Sequence, residues 1–483
     1  MIDAVALDTE TTGAEFLLGL DTPFVLYACD SRGERYKWEW DFDPVNRLSI
    51  PDKKISKDIK KFTRGYKTLV FHNTKFDIRA LESVDVKLNW RGKTFDTLIA
   101  SHVLNNVYSH RLKDLADMYL DRENVEEQEI KEGVVVARRL ARKHFPDWQL
   151  GNSSAGCKEG DESFVALDYW LFKELARHLE FEEDHPWWTL CDKYGYGDVI
   201  RTIELWFLFK DGLKASNLQR PYDREIKLLE NSIYDMESKG LNILEKNMNK
   251  SHRDYCKERD NLEKQLNDIS EINFKSQKEL PAFLFGLPEK EVNPKTDREE
   301  IILNVNGRRV LFSDLNFKSD YEPVFSSRKN SLKLPVSRIT KTNFSTDKST
   351  INGLLNKKLN KKQKKYLTCL SDWRDVNKAI QQIEAIEKFV SYDSKIYFNI
   401  KQNGTRTTRV SASNPNPQQI SKGKEFENED GEKDTKYKIR SIFGPPKGRV
   451  WYCIDYSQLQ LRIFAYVANE VGFIEALSQG YDG

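Results

Sequence analysis

Asp8 and Glu10 stand two positions apart, directly after the apolar run Val5-Ala6-Leu7. In a strand, residues i and i+2 face the same side, so this spacing sends both carboxylates out from one face. The same spacing recurs at Asp121/Glu123, Asp223/Glu225 and Asp297/Glu299, where a solvated pair on a helix or loop is the ordinary reading. At the end of a buried strand, like charges need a reason to sit together. Asp77 closes the segment Asn73-Thr74-Lys75-Phe76-Asp77 and falls in the first turn of an expected helix, where the dipole alone accommodates an acid. Tyr194 and Asp198, at i and i+4, share one face of an apolar helix. An acid among Val199, Ile200, Ile203 and Leu205 is costly to bury unless it meets a cation.

Together, Asp8, Glu10, Asp77 and Asp198 offer hard oxygen ligands to two Mg2+ or Mn2+ ions roughly 4 Å apart. One ion generates hydroxide and the other stabilises the leaving oxygen of a phosphodiester. Tyr194, one turn from Asp198, is suited to orient the attacking water. A further acid, Asp455, stands between an expected strand, Arg449–Ile454, and an expected helix, Ser457–Leu477. An Asp in such a strand–helix turn can hold a metal at a cleft mouth, and the helix sets Gln458 and Arg462 together at i and i+4.

The elements that must position these residues are readable in outline. Over residues 1–120, β-rich segments (Ala4–Leu7, Pro23–Ala28, Thr68–Phe71) alternate with helical patterns (Phe76–Ser83, Asp96–Leu104, Leu112–Tyr119), the arrangement of a sheet carrying helices. Residues 121–190 are charged and helical (Val125–Phe145, Glu162–Leu179) around a Gly/Ser loop at Leu150–Gly160, and read as an insertion. An apolar helix over Tyr194–Phe209 precedes a polar linker, Lys214–Pro221. Period-3.6 patterns at Glu225–Lys239, Lys246–Ile269 and Lys361–Phe389 predict a helical middle, with residues 287–350 irregular. Strand candidates return at Ile396–Ile400. The run Lys357–Lys365, including Lys361 and Lys364, is a solvated helix face or a phosphate-tracking patch.

Composition narrows the function classes. The 483 residues suggest about three domains, and 39% apolar with 12% aromatic residues is enough to build cores. Lys+Arg (77) nearly balance Asp+Glu (75), so a globally basic coat for nucleic acid is excluded and phosphate binding falls to local patches. No stretch approaches the roughly 20 apolar residues of a membrane span, and no signal peptide is visible. The six cysteines lack C-x-x-C spacing, which fits a reducing, cytoplasmic compartment.

The first half resembles the DEDD 3′–5′ exonucleases in their tyrosine form. Asp8-x-Glu10, Asn73-x-x-Phe76-Asp77 and Tyr194-x-x-x-Asp198 match the three motifs in order, and Asp96-Thr97 with Leu112-Lys113-Asp114-Leu115-Ala116 resembles the segment between the last two. The resemblance implies an RNase H-like fold, two metal ions in the site, and DNA contacts from Asn73 and Phe76.

The second half resembles family A DNA polymerases. Asp455-Tyr456-Ser457-Gln458-Leu459-Gln460-Leu461-Arg462 is similar to their motif A, and Thr408–Ile420 to their primer–template segment. Met236–Ile243, Phe274–Leu280 and Thr340–Asp347 look like parts of their thumb. The resemblance implies that Asp455 and the Tyr456 carbonyl bind metal, and that Arg409, Ser411, Asn416, Gln418 and Arg462 contact DNA; on the phosphate-tracking reading of the lysine run, Lys361 and Lys364 add contacts. Position 460 is Gln where the family usually has Glu as the gate against ribonucleotides.

The expected architecture is α/β: an RNase H-like mixed-sheet exonuclease domain (1–212, insertion about 121–190), an α-rich thumb (213–395, irregular insertion about 287–337) and an incomplete α+β palm (396–483). After Asp455 the 483 residues contain neither the family's Arg/Lys-rich fingers helix nor its His-Asp-Glu motif. Templated synthesis from dNTPs then needs those parts from elsewhere, in a longer chain or a second polypeptide. The alternatives are a free-standing 3′–5′ exonuclease, and a non-catalytic chain that binds primer–template for a partner.

Overall fold

The structure is a computed structural model that describes residues 2–122, 125–151, 168–277, 279–285, 290–292, 299–305, 308–311, 331–338, 340, 344–427 and 433–480. Its first half is built on a five-stranded sheet in the order β3-β2-β1-β6-β7. These strands are β1 (Ile2–Thr11), β2 (Pro23–Asp30), β3 (Arg35–Glu39), β6 (Tyr66–Phe71) and β7 (Thr94–Asp96). The small pair β4 (Phe42–Asp43) and β5 (Leu48–Ser49) stands apart from it. β1 runs antiparallel to β2 and parallel to β6, so the sheet is mixed.

The central strands are apolar on both faces because both faces are covered. Ala4, Ala6, Tyr27 and Val70 pack on one side, against α3 (Thr97–Leu104), α5 (Val125–His144), α6 (Leu171–His178) and α7 (Trp187–Ala215). Val5, Leu7, Leu26 and Phe71 pack on the other, against α1 (Lys53–Arg64) and α2 (Thr74–Ser83). The period of two along β1 therefore turns Asp8 and Glu10 toward the α7 side. α4 (Leu112–Leu120) lies beside α7.

Where they are described, residues 121–190 form part of the first core. Ile130, Val134, Ala137, Leu171, Phe172 and Leu175 share the buried core with the sheet. The Gly/Ser loop and the start of the expected helix Glu162–Leu179 lie outside the described residues, and the helix there is Leu171–His178.

The expected linker Lys214–Pro221 is mostly helical. α7 ends at Ala215 and α8 (Gln219–Leu228) begins after three residues, because Tyr222 and Ile226 pack back onto the first core. A π-helical turn at Leu229–Ile233 joins α8 to α9 (Tyr234–Lys239). β8 (Leu241–Asn242) leads into α10 (Glu245–Ile269), which pairs with the long α13 (Lys361–Glu387) across Leu262, Leu266, Leu367, Leu370 and Ile380. α11 (Glu279–Phe285) and α12 (Lys348–Leu355) flank that second core.

Four expectations for the chain's later part are corrected by the structure. Residues 287–350, expected to be irregular, contain a three-stranded antiparallel sheet of β9 (Lys290–Val292), β10 (Glu299–Val305) and β11 (Arg308–Leu311). The polar composition of the long window hid the short run Ile301-Ile302-Leu303. Ile396–Ile400 divides into β12 (Lys395–Ile396), paired with β8, and β13 (Asn399–Lys401), paired with β14 (Ser411–Ser413); β15 (Lys424–Glu427) and β16 (Lys433–Lys436) pair with each other. The expected strand Arg449–Ile454 is not one: no described residue forms a ladder with it, and Ile454 is 92% exposed. A strand needs a partner for its N–H and C=O groups, and local β-propensity cannot supply one. The helix expected over Ser457–Leu477 is broken into α14 (Leu459–Ala468) and α15 (Val471–Ser478), with Asn469 in the left-handed region at φ 55.

Candidate active site

The end of β1, the first turn of α2 and the middle of α7 meet at one place. Oxygens of Asp8, Glu10 and Asp198 lie within 4.8 Å of one another. Asp77 stands beside them but is turned to Thr9, whose N–H and hydroxyl both donate to Asp77 Oδ1, at 3.0 and 2.8 Å. Three of the four expected ligands are thus gathered, and the fourth is held one residue off by the alternation of β1.

A close approach of helix to sheet makes this meeting possible. A Cβ on Gly195 would lie 2.1 Å from ring atoms of Tyr27 on β2, so only glycine lets α7 sit this near. Tyr196 faces away from the carboxylates, its ring edge-on to Tyr27 with centroids 5.0 Å apart. Tyr194 is therefore the tyrosine at the site, packed against Tyr169 with centroids 5.5 Å apart.

Burial dominates the electrostatics. It holds Asp8 far above the ordinary carboxylate range, with Asp77, Glu10 and Asp198 adding repulsion. Glu10 is pushed up to about 8 by burial and by Asp198. Burial raises Asp77 to about 7 against the hydrogen bonds from Thr9, and raises Asp198 against Lys113 and Arg201. A buried set of acids that resist ionising for want of positive charge suits a divalent cation. The donor set fits Mg2+ or Mn2+.

Several residues outside the sequence motifs complete the site. Lys113 Nζ lies 3.7 Å from Asp198 Oδ2 and 3.7 Å from the Tyr194 ring centroid. Arg201 donates to Asp198 Oδ1 at 3.1 Å, and its i+3 spacing was the available signal for it. Lys113 lies in the Leu112–Ala116 segment, where nothing in the sequence alone marks it as a partner of Asp198. Asp96 caps α3 through the Leu98 and Ile99 N–H groups and also accepts from Thr74 N–H at 2.7 Å, so it ties α3 to the start of α2. Asn73 sits before α2 at φ 82, and Phe76 meets Phe16 edge-on at 5.2 Å.

The residues of the second half lie elsewhere. Asp455, Tyr456 and Gln460 are exposed, and among the described residues Asp455 belongs to no group of three or more potential metal ligands. Gln458 precedes α14 as its N-cap rather than sharing a helical face with Arg462. The Arg462 guanidinium is spent on carbonyls, donating to Ser457 O at 2.8 Å and Leu477 O at 2.9 Å. Asn416 and Gln418, expected at DNA, brace their own loop. Asn416 Oδ1 accepts from Gln418 N–H at 3.0 Å, and Gln418 Oε1 accepts from Ala412 N–H at 3.1 Å. Arg409 is exposed and Ser411 half-buried beside them. Lys361 and Lys364 are exposed in the first turns of α13, whose start is closed by a reciprocal Asn360–Gln363 cap.

Residues 314–482 match the family described as DNA polymerase family A. This stretch is similar to family A DNA polymerases. A DNA polymerase I from Lactococcus lactis subsp. lactis is 31% identical over 152 residues, which are 31% of this chain and 16% of that protein. One from Caldicellulosiruptor bescii is 29% identical over 153 residues, with the same two coverages. DNA polymerase DpoZ of Salmonella phage PMBT28 is 22% identical over 489 residues, covering 99% of this chain and 64% of its own length. The POL domain of Pol1 from M. smegmatis, solved with DNA primer-template and dNTP, shares the fold: TM-score 0.57 and 17% identity over 99% of this chain and 61% of that one. The chain thus spans less than two thirds of each of these relatives, and the stretch that matches the family lies within a mixed α/β fold similar to that of the Pol1 POL domain.

Proposed function

We propose that residues 1–212 are an RNase H-like 3′–5′ exonuclease of the DEDD type, joined to a thumb-like region and the first part of a family A polymerase palm. The observation that carries this reading is the convergence of Asp8, Glu10 and Asp198, with Asp77 and Tyr194 beside them. The substrate is the single-stranded 3′ end of DNA. When bound, a pair of Mg2+ or Mn2+ ions would lower the pKa of the attacking water and offset charge on the leaving oxygen. Asp8, Glu10, Asp198 and Asp77 would hold them, and Tyr194 orients the water.

Templated synthesis belongs, on this reading, only to an assembly that adds fingers and a second palm carboxylate to Asp455, because phosphoryl transfer to a primer uses two ions. The apolar side chains that α14 leaves open, including Phe464 at 66% and Val467 at 77% exposure, suit burial by such a complement.

The test is magnesium-dependent release of mononucleotides from 3′-labelled single-stranded DNA by the full chain. Asp8→Ala with Glu10→Ala should abolish it by removing two of the ligands, and undiminished release from that double variant would overturn the assignment.

A further inference from the structure

Asp198 is neutralised by two cations, and each of them has a second acidic partner on α5. Arg201 joins Asp198 to Glu126. Lys113 Nζ lies 3.7 Å from Asp198 Oδ2 and 3.9 Å from Glu127 Oε2, almost midway between them. Both separations are longer than a close ion pair, so the ammonium is committed to neither. Its side chain is only 11% exposed, and Glu127 has a closer partner of its own in Lys131, at 2.7 Å. Lys113 thus faces the acids of the site from within the protein, where charge is weakly screened.

A divalent ion among Asp8, Glu10 and Asp198 would repel this ammonium at short range. A flexible four-carbon stem allows it to retreat, and Glu127, 3.9 Å away, is the acceptor open to it. We propose that Lys113 is a movable counter-ion, shared between Asp198 and Glu127 when the site is without metal and drawn to Glu127 when metal is bound. The inference rests on the metal-dependent exonuclease reading. It makes Lys113 and Glu127 positioning residues that set metal affinity, and it gives α5 a part in the site.

The two residues then act in opposite directions. Lys113→Met removes the competing charge, and Mg2+ should bind roughly five-fold tighter or more. Glu127→Gln removes the retreat and should weaken Mg2+ binding by a similar factor. In the Lys113→Met background Glu127→Gln should change nothing, because no ammonium remains to be relocated. Lys113→Arg should keep Mg2+ affinity near that of the unaltered chain.

Calorimetric titration of the full chain with Mg2+ measures all of these constants without reference to turnover. It should be run near pH 9, above the raised range of Glu10 and Asp77, with Asp8→Ala/Glu10→Ala as the blank that shows which sites are being read. Opposite shifts that vanish in the double variant support the proposal. Equal constants in all variants, with the blank showing no binding, would overturn it while leaving the exonuclease reading in place. Binding identical in the blank and the unaltered chain would overturn both.

Discussion

Thr9 and Asp77 are joined by two hydrogen bonds to a single carboxylate oxygen, from the Thr9 N–H at 3.0 Å and its hydroxyl at 2.8 Å. Thr9 lies between the two metal-ligating candidates of β1, so the residue that faces away from Asp8 and Glu10 is the one that steadies the fourth acid. Thr9→Val keeps the β-branched shape and the backbone donor but removes the hydroxyl. A hydrogen bond to an ionised acceptor is worth about 1.5–3 kcal/mol. Exonuclease turnover should fall by about tenfold or more, and the melting temperature should drop by roughly 2–4 °C for each kcal/mol lost. Full turnover in this variant would show that Asp77 is placed by its helix alone.

Tyr194→Phe should likewise slow hydrolysis, because the ring still packs on Tyr169 while the hydroxyl suited to orienting water is gone. A loss of about tenfold or more is expected with circular dichroism unchanged. Tyr196 offers no substitute, since its ring is held against Tyr27 on the other side of α7. Unchanged turnover would reduce Tyr194 to a packed aromatic.

The raised carboxyls give the metal-free protein a particular pH dependence. Glu10 and Asp77, raised to about 8 and about 7, are neutral in the fold at pH values where the unfolded chain has already ionised them. The folded state then binds more protons, so this contribution to stability is complete below about pH 4 and is lost as pH rises through about 7 to 8. Without divalent ions, the melting temperature should fall between about pH 6 and pH 9 more steeply than in Asp8→Ala/Glu10→Ala. Mg2+ should reduce that fall by stabilising the ionised acids. A slope shared by the chain and the double variant would contradict the burial of these charges.

Lys357, Lys358, Lys361, Lys362, Lys364 and Lys365 are all exposed, and the last four crowd the positive end of the α13 dipole. Cations there are destabilising by roughly 0.3–1 kcal/mol each at low salt, which favours a role outside the helix. Neutralising Lys361, Lys364 and Lys365 to Gln should flatten the plot of log DNA affinity against log salt by up to about three in slope, and should not lower the melting temperature. An unchanged slope would return the run to a solvated face.

Neighbour spacing was legible in the sequence by itself. The i, i+2 rule placed Asp8 and Glu10 on one face of β1, and the i, i+4 rule placed Tyr194 with Asp198, because both are consequences of backbone geometry within one element. The two-sided burial of β1 was legible too, as an unbroken apolar run. Contacts that close across the chain were not. Asp77 turns to Thr9, Lys113 lies between Asp198 and Glu127, and Gly195 meets Tyr27, each through residues far apart in sequence. Arg449–Ile454 has β-prone residues, yet a strand exists only where another strand answers its hydrogen bonds. Spacing along the chain decides which groups share a face; only the packing of β1, α2, α4, α5 and α7 decides which charges meet there, because Coulomb and steric energies depend on distance in space.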